Sequence, residues 1–131
     1  EYPIRSMATT GTHDTEPLVT WWRDAPAEER AAVVALPLVR ARLGKDAAAS
    51  PVVAGAIHTA LLEAVYASRS ELVIVPVQDV FGWADRINTP AVVDEVNWTW
   101  RLPWAVEQMD REPVAVEVAS LLRDLATRHG R

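Results

Sequence analysis

The sequence contains no cysteine, so it can form neither disulfides nor thiolate metal sites. No apolar run approaches 18 residues, and none therefore has the pattern of a transmembrane helix. Lysine and arginine total 13 against 18 aspartates and glutamates, without a dense basic run. We therefore expect neither nucleic acid nor a membrane as a partner. The lack of cysteine is compatible with the cytoplasmic location that we expect.

Common catalytic and metal signatures are also missing. The sequence has no nucleophile-elbow, P-loop or dinucleotide-binding motif. Of its three histidines, His58 and His129 are far along the chain from His13, so we expect no metal site and no cofactor. Six tryptophans stand against one phenylalanine and two tyrosines. A tryptophan ring can pack in a core or stack on a sugar, and the sequence leaves both interpretations open.

Hydrophobic patterning predicts two strands and several helices. Residues 7–12 should form a short strand, after which Asp14 or Thr15 should cap a helix with Glu16 and Pro17 in its first turn. Three further helices are predicted, one interrupted at Pro37 and ending near Gly44, one over 50–68 beginning at Ser50-Pro51, and one over 113–129.

Residues 71–77 predict the strongest strand. The run is apolar and β-branched without alternation, which is typical of a strand buried on both faces of a parallel sheet. A loop over 78–102, rich in polar and aromatic residues, should follow, and such loops are usually functional. Two strands cannot form a covered parallel sheet, and the chain starts without methionine. We therefore expect a piece of a larger protein, with its two strands side by side.

A polar pair follows each predicted strand. His13-Asp14 comes after the first strand and Gln78-Asp79 after the second, the position at which an α/β barrel builds its active site. A carboxylate beside an imidazole suits acid/base chemistry, metal ligation or the binding of vicinal sugar hydroxyls. The structural alternatives are that Asp14 and Asp79 only cap helices and that His13 only bonds a backbone carbonyl.

Two longer blocks resemble one known family. The segment TGTHDT at 10–15 and the segment VPVQDVFGWADRINTPAVVDEVNWTWRLPW at 75–104 are similar, in this order, to the 4-α-glucanotransferases of the amylomaltase family. The resemblance spans residues 2–104. It implies an α/β fold in which residues 1–131 are the C-terminal portion of a (β/α)₈ TIM barrel, about strands seven and eight, with the remainder absent. As an isolated piece the chain should be mostly helical.

The resemblance also implies an activity. Family members break an α-1,4 bond and pass the glucan to another maltooligosaccharide by a retaining, two-step mechanism. Asp14 matches the carboxylate that stabilises the transition state by holding the 2- and 3-hydroxyls of the donor sugar, and His13 would bind the same sugar. No segment matches the nucleophile or the acid/base, so the chain alone should be inactive.

The same resemblance predicts further substrate contacts, from Thr12, Gln78, Asp79, Arg86, Asn88, Asn97 and Trp98. Arg86, Asn88 and Asn97 would either contact sugar or anchor the loop. The structural alternative is that Arg86 and Arg101 only pair with Asp85 or Glu95. The chain departs from the family at Ala91-Val92, where Gly-Thr is usual, and this leaves the loop conformation there open.

Other functions are compatible with parts of this pattern. An α-amylase-type hydrolase or another transglycosylase would share the His-Asp block. A tryptophan-rich carbohydrate-binding module would use the second block without catalysis. An isolated barrel piece could also self-associate through the surface that the other strands would cover.

Overall fold

A computed structural model of the chain describes residues 3–44, 47 and 55–131. In chain order the elements are β1 (Met7–Ala8), α1 (Leu18–Asp24), α2 (Ala27–Val34), α3 (Pro37–Leu43), α4 (Gly55–Tyr66), β2 (Leu72–Val73), α5 (Val77–Phe81), a 3₁₀ helix (Val106–Gln108) and α6 (Pro113–Arg128). The predicted mostly helical character with a small β component is confirmed.

The two strands form a parallel pair. Met7 lies opposite Leu72 and Ala8 opposite Val73. The Leu72 amide donates to the Ser6 carbonyl at 3.2 Å and the Ile74 amide to the Ala8 carbonyl at 3.0 Å. The expectation that the strands lie side by side is confirmed, and their carboxyl ends point to the same edge of the sheet.

The strands are shorter and less buried than the sequence predicts. Each has two residues rather than the expected ranges 7–12 and 71–77. Leu72 is 58% and Ile74 56% exposed, so the prediction of burial on both faces is wrong for this chain. The reason is that the sheet of the described residues has no third strand, and its apolar side chains have no neighbour to cover them.

Two predicted local features differ from the structure. Asp14 and Thr15 lie in a turn before α1, whose N-cap is Pro17, so the prediction that either residue caps this helix is wrong. Residues 77–81 form α5, where the end of a strand at 77 and a loop from 78 were expected. Pro76 restricts φ to −55° before α5, and Gly82 ends it at φ +69° in the left-handed region that favours glycine.

The other helix boundaries follow the sequence pattern closely. Pro37 is the first residue of α3, and Gly44 ends this helix at φ +73°. The observed end of α6 at Arg128 agrees with the expected helix over 113–129. The expected helix start at Ser50-Pro51 lies outside the described residues.

The main apolar core lies between the first four helices. Trp22 of α1 and Val39 of α3 are fully buried, and Ile57 and Leu61 of α4 belong to the same cluster. The remaining buried members of this core are Leu18, Val34 and Ala60. Among the described helices, none is both long and apolar enough to cross a membrane.

A buried carboxylate links three helices outside this core. Glu63 of α4 is 3% exposed and accepts hydrogen bonds from Arg42 of α3 at 3.0 Å and Arg128 of α6 at 2.7 Å. His129, directly after α6, lies 3.2 Å from the same oxygen. Burial alone would raise the pKa of Glu63, but these hydrogen bonds outweigh it and lower the pKa to about 2. Glu63 therefore holds α6 on α4 as a carboxylate.

The Glu63 cluster predicts a pH dependence of stability. Because the pKa is lower in the folded state than in the unfolded state, its stabilisation is present above about pH 4.5 and is lost as pH falls toward 2. The full effect is on the order of 3 kcal/mol. Urea unfolding between pH 6 and 3 should show this loss, and Glu63→Gln should be less stable at pH 6 with a flatter pH profile.

Glu117→Gln, at an exposed position of α6, is the matched control and should keep the pH dependence of the original protein. Equal pH profiles for Glu63→Gln and the original protein would contradict the assigned role of Glu63.

Candidate functional site

Both polar pairs predicted from the sequence lie at the carboxyl edge of the sheet. The first site loop, residues 9–17, follows β1, while α5 and the second site loop, residues 82–105, follow β2. Between them is a cavity of about 310 Å³, counting its open mouth. Its lining is formed by Thr12, His13, Thr15, Glu16, Pro17, Pro76, Gln78, Asp79, Asp85, Arg86 and Ile87.

Hydroxyl groups fold the first site loop into a tight turn. The Thr12 amide donates to Thr15 Oγ1 at 2.8 Å, and this hydroxyl donates to the Thr12 carbonyl at 3.0 Å. Gly11 permits the approach, because a Cβ there would lie 2.3 Å from Thr15 Oγ1. The turn raises His13 and Asp14 toward solvent, with side chains 52% and 50% exposed.

The Asp14 carboxylate is held from both sides. His13 Nε2 lies 3.2 Å from Oδ2, and Asn88 Nδ2 of the second site loop donates to Oδ1 at 2.7 Å. Trp98, 58% exposed, places its ring centroid 5.1 Å from that of His13. The structure thus brings together four of the predicted site residues. Their carboxylate, imidazole, amide and aromatic face are the group types that bind a sugar.

Arg86 joins the two site loops at the same place. Its Nη1 pairs with Glu16, its Nη2 donates to the Asp14 carbonyl at 3.2 Å, and its Nε donates to the Asn88 carbonyl at 3.1 Å. Arg101 donates to the Trp100 carbonyl at 2.9 Å. The alternative that Arg86 and Arg101 pair with Asp85 or Glu95 is therefore wrong, since both have other partners.

Asp79 lines the cavity, but its side chain is buried and both its carboxylate oxygens already accept hydrogen bonds from the protein. It is 2% exposed; Oδ1 accepts from the Leu18 amide at 2.6 Å, and Oδ2 accepts from the Thr10 hydroxyl. His58 of α4 lies 2.5 Å from the Asp79 carbonyl through Nε2. These contacts, here called the Asp79 junction, make Asp79 the acceptor for the first amide of α1. A contact between Asp79 and a ligand stays a prediction, and the geometry favours the structural role.

Gln78 differs from its neighbour. It is 4% exposed, and its buried Nε2 has no hydrogen-bond partner among the described residues although the side chain lines the cavity. A buried amide donor without a partner is costly, so a water or a ligand hydroxyl in the cavity would stabilise it. Gln78 therefore fits the predicted contact better than Asp79.

Asn97 anchors the second site loop. Its Oδ1 accepts from the Thr89 amide at 3.0 Å, and its Nδ2 donates to the Val92 carbonyl at 2.8 Å. Of the two expected roles, sugar contact and loop anchoring, the structure shows the second. Between these contacts Ala91 adopts φ +60°, the left-handed conformation that the family's usual glycine would allow without strain.

The remaining aromatic side chains of the second block pack on one another. Phe81 stacks on Trp83 with centroids 4.4 Å apart, and Trp100 and Trp104 lie within 5.8 Å of Trp83. All four are half-buried, whereas Trp98 is mostly exposed. Trp98 is also held at φ +66°, a conformation that costs free energy for a bulky residue and is typical of functional sites.

Three residues of the site's framework were not predicted from the sequence: Thr10, Glu16 and His58. A signal existed for His58, which lies three residues before buried Leu61 on α4 and so close to its apolar face. Thr10 and Glu16 carry no such signal, because their partners are about 70 residues away in the chain. Within the described ranges, no group of three acidic or histidine side chains could hold a metal ion.

Comparison with known proteins gives consistent matches. A family model described as 4-alpha-glucanotransferase matches residues 1–107. The chloroplastic/amyloplastic 4-alpha-glucanotransferase of Solanum tuberosum is 31% identical over 126 residues, which cover 93% of this chain and 19% of that protein. The corresponding protein of Oryza sativa subsp. japonica is 32% identical, over 86% of this chain and 17% of its own length.

A solved structure matches as well. The amylomaltase from Streptococcus agalactiae in complex with acarbose superposes with a TM-score of 0.72 at 26% identity, over 99% of this chain and 23% of that one. The chain thus spans about a fifth of the length of the curated relatives. The resemblance based on residues 10–15 and 75–104 is confirmed.

One expectation is overturned by these relatives. The matching proteins of Solanum tuberosum, Oryza sativa and Arabidopsis thaliana are described as chloroplastic/amyloplastic. The expected cytoplasmic location is therefore contradicted. The lack of cysteine on which it drew is compatible with several reducing compartments.

The Asp79 junction predicts a large stability loss on truncation. Asp79→Ala removes the acceptor of the buried Leu18 amide and should lower the free energy of unfolding by about 3 kcal/mol, whereas Asp79→Asn keeps one acceptor and should cost about 1 kcal/mol. Urea unfolding measures both. Asp85→Ala, an exposed carboxylate on the same cavity, is the control and should stay within about 0.5 kcal/mol of the original. Similar losses for Asp79→Ala and Asp85→Ala would refute the junction.

The left-handed conformation of Ala91 predicts a stabilising substitution. Ala91→Gly should raise the free energy of unfolding by about 0.5–1 kcal/mol, because relief of the strain exceeds the entropy that glycine adds to the unfolded chain. Ala84→Gly, in the same loop without a positive φ, should instead be neutral or destabilising. Thermal unfolding of the pair tests this, and stabilisation by neither substitution would contradict it.

Proposed function

Because the chain belongs to the 4-alpha-glucanotransferase family, we propose that it is part of an enzyme that transfers α-1,4-glucan segments between maltooligosaccharides. The observation that carries this proposal is the half-exposed Asp14 carboxylate, fixed between His13 and Asn88 at the carboxyl edge of a parallel sheet. Parallel α/β folds place their substrates at this edge.

In this proposal residues 1–131 form the C-terminal portion of a (β/α)₈ barrel, with β1 and β2 as strands seven and eight. Adjacent parallel pairing and the exposed apolar side chains of Ile4, Met7, Leu72 and Ile74 support it, because further strands and helices would cover them. When the chain is isolated, the same surface would favour self-association.

Asp14 would act on the sugar at the scissile bond without attacking it. In a retaining transfer, an enzyme carboxylate displaces the leaving glucan at C1 while an acid protonates the departing O4. The acceptor's 4-hydroxyl then displaces the carboxylate from C1 and gives its proton to the same acid/base group, now deprotonated. Positive charge develops at C1 in both steps. Asp14 would accept hydrogen bonds from the 2- and 3-hydroxyls that strengthen as the ring distorts, while His13 would contact the same sugar.

The nucleophile and the acid/base would come from parts of the barrel that this chain does not contain, so the isolated chain would be inactive. Thr12 and Gln78 would line the donor-sugar pocket, and Trp98 would offer a flat apolar face beside His13. Asn97 would shape the second site loop through its backbone contacts. Acarbose, the ligand of the similar amylomaltase, is a suitable probe of this pocket.

Of the alternative functions, that of a carbohydrate-binding module is the least supported by the structure. Such a module would bind sugars on exposed tryptophan rings, but Trp83 packs against both Trp100 and Trp104. A hydrolase of the α-amylase type would use the same His-Asp geometry, and product analysis separates it from a transferase. Longer products from maltotriose require transfer, whereas hydrolysis gives only shorter ones.

The proposed role of Asp14 predicts a specific loss of activity in the full-length enzyme. With maltotriose as substrate, Asp14→Ala should lower the transfer rate by about a thousandfold, which corresponds to the several kcal/mol that such sugar contacts supply. Asp24→Ala removes an exposed carboxylate of α1 and should leave the rate unchanged. A rate for Asp14→Ala within a few-fold of the original would show that Asp14 is not part of the catalytic site.

A further inference from the structure

The first site loop is fastened to the second by three side chains. Glu16 pairs with Arg86, Arg86 Nη2 donates to the Asp14 carbonyl, and Asn88 Nδ2 donates to the Asp14 carboxylate. We call Glu16, Arg86 and Asn88 the loop bridge. Its contacts span 70 to 74 residues of sequence, so they join two segments that the chain does not hold together locally.

Each of the three guanidinium nitrogens of Arg86 donates to an acceptor of the protein. Nη1 faces Glu16, Nη2 faces the Asp14 carbonyl, and Nε faces the Asn88 carbonyl. The side chain is 26% exposed, against 45% for Glu16. A guanidinium with three nitrogens bonded to fixed acceptors is rigid, because its planar donors match one geometry only.

Asn88 connects Arg86 to the Asp14 carboxylate. Arg86 fixes the Asn88 backbone through its carbonyl, and the Asn88 side chain donates to Asp14 Oδ1 at 2.7 Å. His13 contacts the other oxygen at 3.2 Å. Two contacts on different oxygens define the plane of a carboxylate and leave further lone pairs on each oxygen for hydroxyl donors.

We propose that Arg86 and Asn88 are positioning residues that hold Asp14 in its productive orientation, rather than substrate contacts. This inference rests on the proposed catalytic role of Asp14. Displacement of a reacting group by about 1 Å can cost about a hundredfold in rate, so loss of the bridge should reduce turnover while substrate affinity changes little.

A double-mutant cycle in the full-length enzyme separates positioning from direct contact. Asn88→Ala alone should lower kcat for maltotriose transfer by about 10- to 100-fold, with KM within about threefold. In the Asp14→Ala background, Asn88→Ala should change the residual rate by less than about twofold, because there is no carboxylate left to orient. An equal loss in both backgrounds, or no loss in the original background, would overturn the proposal for Asn88.

Conservative substitution tests Arg86. Arg86→Lys keeps the charge facing Glu16 but cannot bond three acceptors, so it should recover only part of the kcat lost in Arg86→Gln. As a control, Arg23→Gln removes an exposed charge that pairs with Asp24 on α1 and should leave kcat unchanged. Full recovery of kcat in Arg86→Lys would show that only the charge of Arg86 matters and would contradict a role for its three hydrogen bonds. An unchanged kcat in Arg86→Gln would refute any positioning role of Arg86.

Hydrogen exchange tests the bridge without relying on activity. Arg86→Gln in the full-length enzyme should speed amide exchange in residues 10–17, while exchange in α4 stays unchanged. If transfer is absent or insensitive to Asp14→Ala, the proposed function fails while this exchange result still decides whether the bridge exists. If Asp14→Ala abolishes transfer but Arg86→Gln changes neither kcat nor the amide exchange of residues 10–17, only the loop bridge is refuted.

Discussion

The arrangement of the site depends on one buried carboxylate, that of Asp79. Its two oxygens bind the hydroxyl of Thr10 after β1 and the amide of Leu18 at the start of α1, and its carbonyl faces His58 of α4. Four segments therefore meet at one residue of α5. In a chain whose sheet has two-residue strands, backbone pairing alone would hold these segments weakly, and the Asp79 junction supplies the missing constraint.

Above this junction, the exposed part of the site is organised by polar contacts rather than by apolar packing. The core of α1 to α4 is one apolar cluster, whereas the two site loops meet through Glu16, Arg86, Asn88 and Asp14. Glu63 performs a similar task on the other side of α4, where it fixes α6. Charged groups thus connect the parts of the chain that its small core does not reach.

The sequence predicted the helices and the location of the site better than the strands. Pro37 and Gly44 act through their own backbone conformations at the start and end of α3, so their prediction succeeded. The predicted strand over 71–77 was too long. Its apolar, β-branched residues are typical of a strand that is covered on both faces, and the sheet of the described residues lacks that cover.

Within the site, the sequence located the polar pairs but not their division of roles. His13-Asp14 and Gln78-Asp79 look equivalent as motifs. Only the fold shows that Asp14 is half exposed while Asp79 is 2% exposed and bonded to α1. The partners that distinguish these roles, Thr10 for Asp79 and Asn88 for Asp14, are about 70 residues from the groups they bind, beyond the reach of local patterns.

These long separations have a consequence for how the chain folds during synthesis. The contacts of β1 with β2, of Leu18 with Asp79 and of Glu16 with Arg86 each span more than 60 residues. At a synthesis rate of about 5–20 residues per second, the first site loop emerges roughly 3–14 s before its partners exist. During that interval β1 presents an unpaired edge, and Ile4 and Met7 remain exposed even after pairing. Completion of these contacts therefore has to wait for synthesis of β2, α5 and the second site loop.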